Sequence, residues 1–301
     1  MQNEQSSVMA VFETVARCGE ISRAQLSSMT GFSQVTVGKA VELLCSCGIL
    51  TEHKQSRGSV GRKSGICSLT DNCGMLLYDL TGVKRRVRVC DLALNIRSEY
   101  ETEETEITSL ALSGFAHFIE AFGGELLGIG CVTAGNDAAE YAKGFTEALG
   151  HAPELIIEES RAYAAANSAR LDTSGVALLV RLGSDGSVDG AVTFSGRLYS
   201  GAHGKAGDFA RAADSRESLI SLLSNLCAVI DPETVHVSCE HEDDCDVISE
   251  ELHARLAMSG LDAEMMPQII TEPLGICRSA LDGVAALLRE RCILSKLSKN
   301  T

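Results

Sequence analysis

The first fifty residues alternate amphipathic helical segments with turn signals. Apolar residues at helical spacing predict a helix over residues 7–18. Ser22 and Ser33 are of the type that caps helices, so we expect a further helix after each of them. The residues between these two helices, Thr30-Gly31-Phe32, predict a tight turn. Two short helices joined by such a turn make a helix-turn-helix pattern.

A strand pattern replaces the helical pattern after residue 48. Strands are predicted over residues 49–54 and 64–69, with a flexible basic loop at 55–63 between them. A basic loop of this kind can follow a phosphate backbone or insert an arginine into a minor groove. The full order of elements predicts a winged helix-turn-helix that binds double-stranded DNA. The alternative is a three-helix module used for protein contact, with the loop merely solvated.

Seven side chains are the candidates for contacting DNA. The second helix of a helix-turn-helix enters the major groove with its N-terminal residues first. Glutamine can read adenine, serine and threonine are versatile, and lysine can reach a phosphate or a guanine. The candidates are Ser33, Gln34, Thr36 and Lys39 on the helix, and Arg57, Arg62 and Lys63 in the loop.

From residue 74 onward, short apolar strands alternate with helical segments. This alternation predicts an α/β architecture. Strand-rich starts near residues 74 and 176 suggest two related lobes. We therefore expect three domains, at residues 1–70, 71–175 and 176–301.

The charge of the chain is distributed unevenly. The formal net charge of the 301 residues is −15. Residues 1–70 hold seven Lys/Arg and five Asp/Glu, which gives +2, and the remainder therefore carries −17. An acidic body discourages non-specific contact with nucleic acid, so binding is expected through the local surface at 1–70. No apolar run of membrane-spanning length and no secretory pattern is present, so we expect a cytoplasmic protein.

The twelve cysteines are scattered, and none forms a Cys-x-x-Cys pair. We interpret them as reduced and mostly buried. Cys239, His241 and Cys245 lie among acidic residues, but their spacing fits no standard ligand set. An exposed acidic loop is the simpler interpretation of that segment, and we predict no metal site.

One segment resembles a known family. Residues 196–208, Gly-Arg-Leu-Tyr-Ser-Gly-Ala-His-Gly-Lys-Ala-Gly-Asp, are similar to the signature segment of the ROK family. That family joins sugar kinases with sugar-responsive repressors on one two-lobed, actin-like (ribonuclease H-like) fold. Gly61-Arg62-Lys63 in the predicted loop also resembles the repressor branch. The resemblance implies an N-terminal winged helix-turn-helix followed by a two-lobed α/β body.

The sequence departs from the kinase branch at the positions that resemblance marks as catalytic. Arg161 stands where the catalytic aspartate is expected, and an arginine stays protonated at neutral pH. Thr81 and Val83 replace a glycine and a threonine in the first phosphate-binding turn. The second turn, residues 183–190, brings two aspartates close to where phosphates would lie. We therefore predict no catalytic residues, no cofactor and no phosphoryl transfer.

The family's zinc and sugar sites are also altered. Arg211 stands at the position of the zinc-binding histidine, and no cysteine cluster follows it. Asp208 takes the place of a sugar-contacting glutamate, and Ser160 that of an asparagine near the sugar. The candidates for a remaining ligand site are Asn136, Asp137, Ser160, His203 and Asp208.

These observations favour a ROK-like transcriptional regulator. We expect it to act as a repressor that binds operator DNA as a homodimer, because two half-sites add affinity. The body would dimerise and could sense a sugar-like effector. The alternatives are a sugar kinase and a protein-interaction module that uses the acidic body.

Overall fold

The structure is a computed structural model, and it describes most of the 301 residues. The described ranges are 2–54, 65–135, 137–168, 175–184, 186–199, 201–202, 206–260, 263–273 and 279–299. The chain divides into two compact units. Unit 1 comprises Met1–Cys131, Asn136–Ile156 and Leu287–Thr301, and unit 2 comprises Val132–Gly135 and Ile157–Ala286.

Unit 1 begins with three helices and a small antiparallel sheet. The helices are α1 (Gln2–Cys18), α2 (Arg23–Thr30) and α3 (Gln34–Ser46). The strands β1 (Ile21–Ser22), β2 (Leu50–Lys54) and β3 (Gly65–Leu69) lie in the order β1-β3-β2. Apolar residues at helical spacing on α1 and α3 are buried against each other, which is why these short helices are stable together.

A five-stranded sheet and two helices follow, and all but the ends of two strands lie in unit 1. The sheet has the order β6-β5-β4-β7-β8, with β4 paired antiparallel to β5 and β5 to β6. Its strands are β4 (Cys73–Asp79), β5 (Arg85–Asp91), β6 (Ile96–Thr102), β7 (Glu125–Thr133) and β8 (Leu155–Glu158). The helices are α4 (Ile107–Ala121) and α5 (Ala138–Leu149).

Unit 2 is built around a second five-stranded sheet with the order β11-β10-β9-β12-β13. Strands β9, β12 and β13 are parallel, while β10 runs antiparallel to β9 and to β11. The strands are β9 (Val176–Leu182), β10 (Val188–Phe194), β11 (Arg197–Tyr199), β12 (Thr234–Cys239) and β13 (Gln268–Pro273). The helices are α6 (Glu159–Ser168), α7 (Arg216–Ile230) and α8 (Glu242–Met258).

The last helix, α9 (Ala280–Lys299), is shared between the two units. Its residues up to Ala286 belong to unit 2, and those from Leu287 belong to unit 1. Ile293 and Leu297 are buried in the same apolar cluster as Val8, Phe12 and Val15 of α1. The core of the N-terminal helices is therefore completed by side chains that lie almost 300 residues later in the chain.

The described elements agree with most of the segments predicted from the sequence, with three differences. β1 is only two residues long and is a strand because it pairs with β3. No local sequence pattern reveals this pairing. β13 was not predicted, because it is defined by its parallel pairing with β12, a contact between segments about 34 residues apart. The acidic segment after residue 239 is not the exposed loop that was expected: Cys239 and Cys245 are buried, and α8 begins at Glu242.

The compact units group the chain differently from the ranges 1–70, 71–175 and 176–301. The N-terminal helices share unit 1 with the first five-stranded sheet, and residues 157–175 fall in unit 2. The compact units show which segments pack together, whereas the three ranges remain our proposal for the domain boundaries. None of the helices in the described part of the chain is long and apolar enough to cross a membrane.

Candidate functional site

The start of α2 is fixed by a reciprocal cap. Ser22 Oγ accepts a hydrogen bond from the Gln25 backbone N–H at 3.3 Å. The Ser22 backbone N–H donates in turn to Gln25 Oε1 at 3.0 Å. Both bonds satisfy donors that the first turn of a helix leaves unpaired. The N-terminus of α2 therefore lies where the sequence pattern predicted it.

A tight turn connects α2 to α3. Gly31 has a φ of 72°, in the left-handed region that favours glycine, and its N–H donates to the Ser27 carbonyl at 3.1 Å. Ser27 Oγ donates to the Phe32 carbonyl at 2.6 Å. These bonds fix the conformation of the turn and therefore the direction of α3 relative to α2.

The N-terminal turn of α3 presents some of the predicted DNA-contacting side chains and uses others internally. Ser33 Oγ accepts from the Thr36 N–H at 3.2 Å and lies 2.9 Å from Thr36 Oγ1. Gln34 and Lys39 are exposed, whereas Thr36 is half-buried. The inner face of α3 is apolar and buried, with Val37, Ala40, Val41 and Leu44. The side chains of Gln34 and Lys39 are thus directed away from the core.

Arg23 joins α2 to the strand β2. Its Nε donates to Glu52 Oε1 at 2.8 Å, and its Nη2 donates to Glu52 Oε2 at 2.9 Å. Its Nη1 lies 3.4 Å from Glu42 Oε1 on α3. The hydrogen bond to Glu52 raises the pKa of the Arg23 guanidinium above its ordinary value. This paired contact fixes the hairpin relative to both helices, and no local pattern in the sequence indicated it.

The hairpin of β2 and β3 ends where Lys54 pairs with Gly65. A Cβ at residue 65 would overlap Oε1 of Glu52, so glycine leaves the space that the Arg23 contact needs. The loop candidates Arg57, Arg62 and Lys63 lie outside the described residues.

The first glycine-containing turn of the body, residues 79–82, is closed by hydrogen bonds to the side chain of its first residue, Asp79. Asp79 Oδ1 accepts from the Thr81 N–H at 3.1 Å and from Thr81 Oγ1 at 2.6 Å. The Arg85 guanidinium donates to the Leu80 carbonyl. Two donors of this turn, the N–H and the hydroxyl of Thr81, are therefore engaged by Asp79.

The second glycine-containing turn, which follows β9, already holds a carboxylate. The Ser184 N–H donates to Glu240 Oε2 at 2.9 Å. This backbone hydrogen bond, with one from the Ser184 side chain, lowers the pKa of the Glu240 carboxyl below its ordinary value. Glycine-rich turns bind phosphate through the same kind of backbone donor. Ser184 and Glu240 are 56 positions apart, so this contact had no local signal in the sequence.

The start of α6 carries charge that is paired within unit 2. Arg181 Nη1 donates to Glu159 Oε1 at 2.8 Å, and the Arg181 guanidinium carbon lies 5.7 Å from the centroid of the Tyr163 ring. Burial opposes the charge of Arg181, but the hydrogen bond and charge of Glu159 raise its pKa overall. Arg161 lies on α6, at the position where the resemblance places a catalytic aspartate.

The candidate ligand residues are distributed over both units. Asp137 precedes α5 in unit 1 and is exposed. Asp208 lies in unit 2, where its Oδ2 is 2.8 Å from Arg211 Nε. Ser160 lies in the first turn of α6, and Asn136 and His203 lie outside the described residues.

The thiols of Cys239 and Cys245 are both buried at the junction of β12 and α8. Burial, together with the hydrogen bond that it donates to Cys245, raises the pKa of the Cys239 thiol far above its ordinary value. A thiol with a raised pKa is a poor metal ligand at neutral pH. Within the described residues, no group of three or more Cys, His, Asp or Glu side chains could hold a metal ion.

Comparison with known proteins identifies the fold. No family profile and no curated protein matches the sequence. Among solved structures, a ROK family transcriptional regulator, a homologue of the E. coli MLC protein, matches 99% of this chain and 100% of its own, with a TM-score of 0.66 and 12% identity.

Two further ROK structures match a smaller share of the chain. A ROK hexokinase from Thermus thermophilus covers 71% of this chain and 97% of its own, with a TM-score of 0.53 and 17% identity. A ROK family protein from Streptococcus pneumoniae TIGR4, in complex with sucrose, gives the same coverages, with a TM-score of 0.52 and 12% identity. The resemblance in residues 196–208 is confirmed at the level of the fold: this chain has the α/β fold of ROK family proteins.

Proposed function

We propose that the protein is a transcriptional repressor of the ROK type. Residues 1–70 form a winged helix-turn-helix that binds operator DNA. Residues 71–175 and 176–301 form a two-lobed, actin-like body without catalytic activity. The likeness to a ROK transcriptional regulator over 99% of the chain supports this proposal, whereas the ROK hexokinase structure matches 71% of it.

The observation that carries the proposal is the geometry of α3. Its inner face is buried, its N-terminal cap is closed by Ser33 and Thr36, and Gln34 and Lys39 are exposed. A recognition helix needs this combination, because base edges are read by side chains that the fold leaves available. Arg57, Arg62 and Lys63 would add contacts to the phosphate backbone.

The body supports a role other than phosphoryl transfer. Asp79 and Glu240 place carboxylates on the two turns that would cradle phosphates, and negative charge there repels a nucleotide. Arg161 cannot act as a general base at neutral pH. The body would instead dimerise and respond to a sugar-like effector, with Asp137, Ser160 and Asp208 among the candidate contacts.

Sequence selection from random duplexes with the full chain tests the proposal. We expect one preferred sequence of two symmetric half-sites, with affinity that falls steeply with salt. Gln34→Ala should lose about 1–3 kcal/mol of discrimination at one base pair. Lys39→Ala should weaken binding, while Lys143→Ala, which removes an exposed lysine from α5, should not. Absence of any preferred sequence would refute the proposal.

The second candidate function is a sugar kinase, favoured by the likeness of 71% of the chain to a ROK hexokinase. ATP-dependent phosphorylation of hexoses and amino sugars tests it directly. We expect no product above the background without protein, because the catalytic aspartate is replaced and both turns hold carboxylates. Turnover with any of these sugars would reverse the order of the two candidates.

A further inference from the structure

Val35 is the most exposed large apolar side chain of the N-terminal helices, with 70% of its surface accessible. At about 100° per residue, it lies some 40° around the axis of α3 from Lys39. It is directed opposite to the buried face formed by Val37, Ala40 and Leu44. Val35 therefore lies at the centre of the face that the proposed function places in the major groove.

The fold of the protein gives no reason for a valine at this position. A β-branched side chain lowers helix propensity, and one that stays exposed gains nothing from burial. Its neighbours Ser33 and Thr36 direct their hydroxyl groups to each other. An exposed apolar group thus lies on the first turn of α3 beside hydroxyls that the cap already uses.

The edges of base pairs in the major groove carry one apolar group, the 5-methyl group of thymine. An aliphatic side chain on a recognition helix can bury itself against that methyl group. We propose that Val35 contacts the 5-methyl group of a thymine and so selects thymine at one position of each half-site. This inference rests on the proposed DNA binding and adds a specificity-determining residue to it.

The test uses the duplex selected with the full chain, in which each thymine is replaced in turn by deoxyuridine. This replacement removes only the methyl group and keeps the base pair. We expect deoxyuridine at one position of each half-site to lower the affinity of the wild-type protein about fourfold, because one buried methyl group contributes about that much. Val35→Ala should bind the thymine duplex more weakly and should not distinguish it from the deoxyuridine duplex.

The matched control is Val229→Ala, which truncates another valine on a helix, 82% exposed on α7. This variant should keep both the affinity and the preference for thymine. Because Val35 is exposed, its truncation should leave the melting temperature within the range of the control.

The outcomes separate the two proposals. If a sequence is selected but no deoxyuridine replacement weakens binding, the inference on Val35 is wrong and DNA binding stands. The inference is also wrong if Val35→Ala still prefers thymine over deoxyuridine. If no sequence is selected, the proposed function itself fails and the inference fails with it.

Discussion

Arg289 of α9 places its Nη2 2.9 Å from both carboxylate oxygens of Glu13 on α1. Its Nη1 donates to the Leu92 carbonyl at 3.2 Å, and its guanidinium carbon lies 5.2 Å from the centroid of the Phe12 ring. A single side chain thus joins the first helix, the end of β5 and the last helix. Its side chain is 12% exposed, so solvent screens these contacts only in part.

Truncation of this arginine should loosen the N-terminal helices. Arg289→Ala removes three contacts at once, and we expect the free energy of unfolding to fall by about 1–3 kcal/mol. Urea denaturation measures this loss. Arg291→Ala, which removes an exposed arginine from the same helix, should change stability by less than about 0.5 kcal/mol. Equal effects of the two variants would contradict a specific role for Arg289.

A methyl group added at residue 65 should lower the stability of the fold by disturbing the contact between Arg23 and Glu52. Gly65→Ala forces Glu52 to move, so we expect a loss of about 0.5–1 kcal/mol, kept small because both partners are about one-third exposed. In the background of Glu52→Ala, the same substitution should cost nothing further. Gly135→Ala adds a methyl group that meets no atom within 4 Å and serves as the control. Additive losses in the double variant would show that Gly65 matters for another reason.

The carboxylate at the start of α4 should make stability depend on pH. Glu106 accepts hydrogen bonds from Thr108 and Ser109, which lower its pKa to about 2. Because the folded pKa is lowered, the stabilisation is present above the unfolded pKa of the carboxyl and is lost as pH falls through the folded value.

Thermal melts of wild type and Glu106→Gln from pH 7 to pH 2 test this dependence. Wild type should melt higher at pH 7, and the difference should close between the ordinary glutamate pKa and about pH 2. Glu103→Gln, at an exposed neighbouring position, should show no such convergence. A difference that is independent of pH would exclude the carboxylate as its cause.

The contact of Glu240 with the Ser184 N–H can be followed by NMR. The amide shift of Ser184 should titrate with a midpoint below the ordinary glutamate pKa, because the hydrogen bond favours the ionised carboxyl. Glu240→Gln should abolish this titration, whereas Glu251→Gln on α8 should leave it unchanged. We also expect Glu240→Gln to gain no kinase activity, because Arg161 still occupies the position of the base. A Ser184 amide that does not titrate in wild type would show that the carboxylate is elsewhere in solution.

Local chemistry explains which elements the sequence could predict. Ser22 and Ser33 cap helices through bonds that span only three residues, so their positions follow from the nearby sequence. Gly31 similarly marks a turn by its own backbone conformation. The helices and most strands could therefore be placed within a few residues.

The contacts that the sequence could not predict join distant positions. Arg23 and Glu52 are 29 residues apart, Ser184 and Glu240 are 56 apart, and Glu13 and Arg289 are 276 apart. Each of the charged residues in these pairs alone resembles an ordinary surface charge, and Ser184 resembles an ordinary turn residue. Only the packing of the elements shows that they form pairs, and the same holds for the exposure of Val35.

The position of Ile293 and Leu297 in the N-terminal core has a consequence for synthesis. The ribosome makes α1 first, but the apolar cluster around Val8 and Phe12 lacks those two side chains until residue 297 has been added. The proposed DNA-binding segment would therefore reach its full stability only after the body has been translated. A nascent chain, or one cut within α9, would carry the proposed recognition helix on an incomplete core, so firm binding to an operator would report that translation had passed through α9.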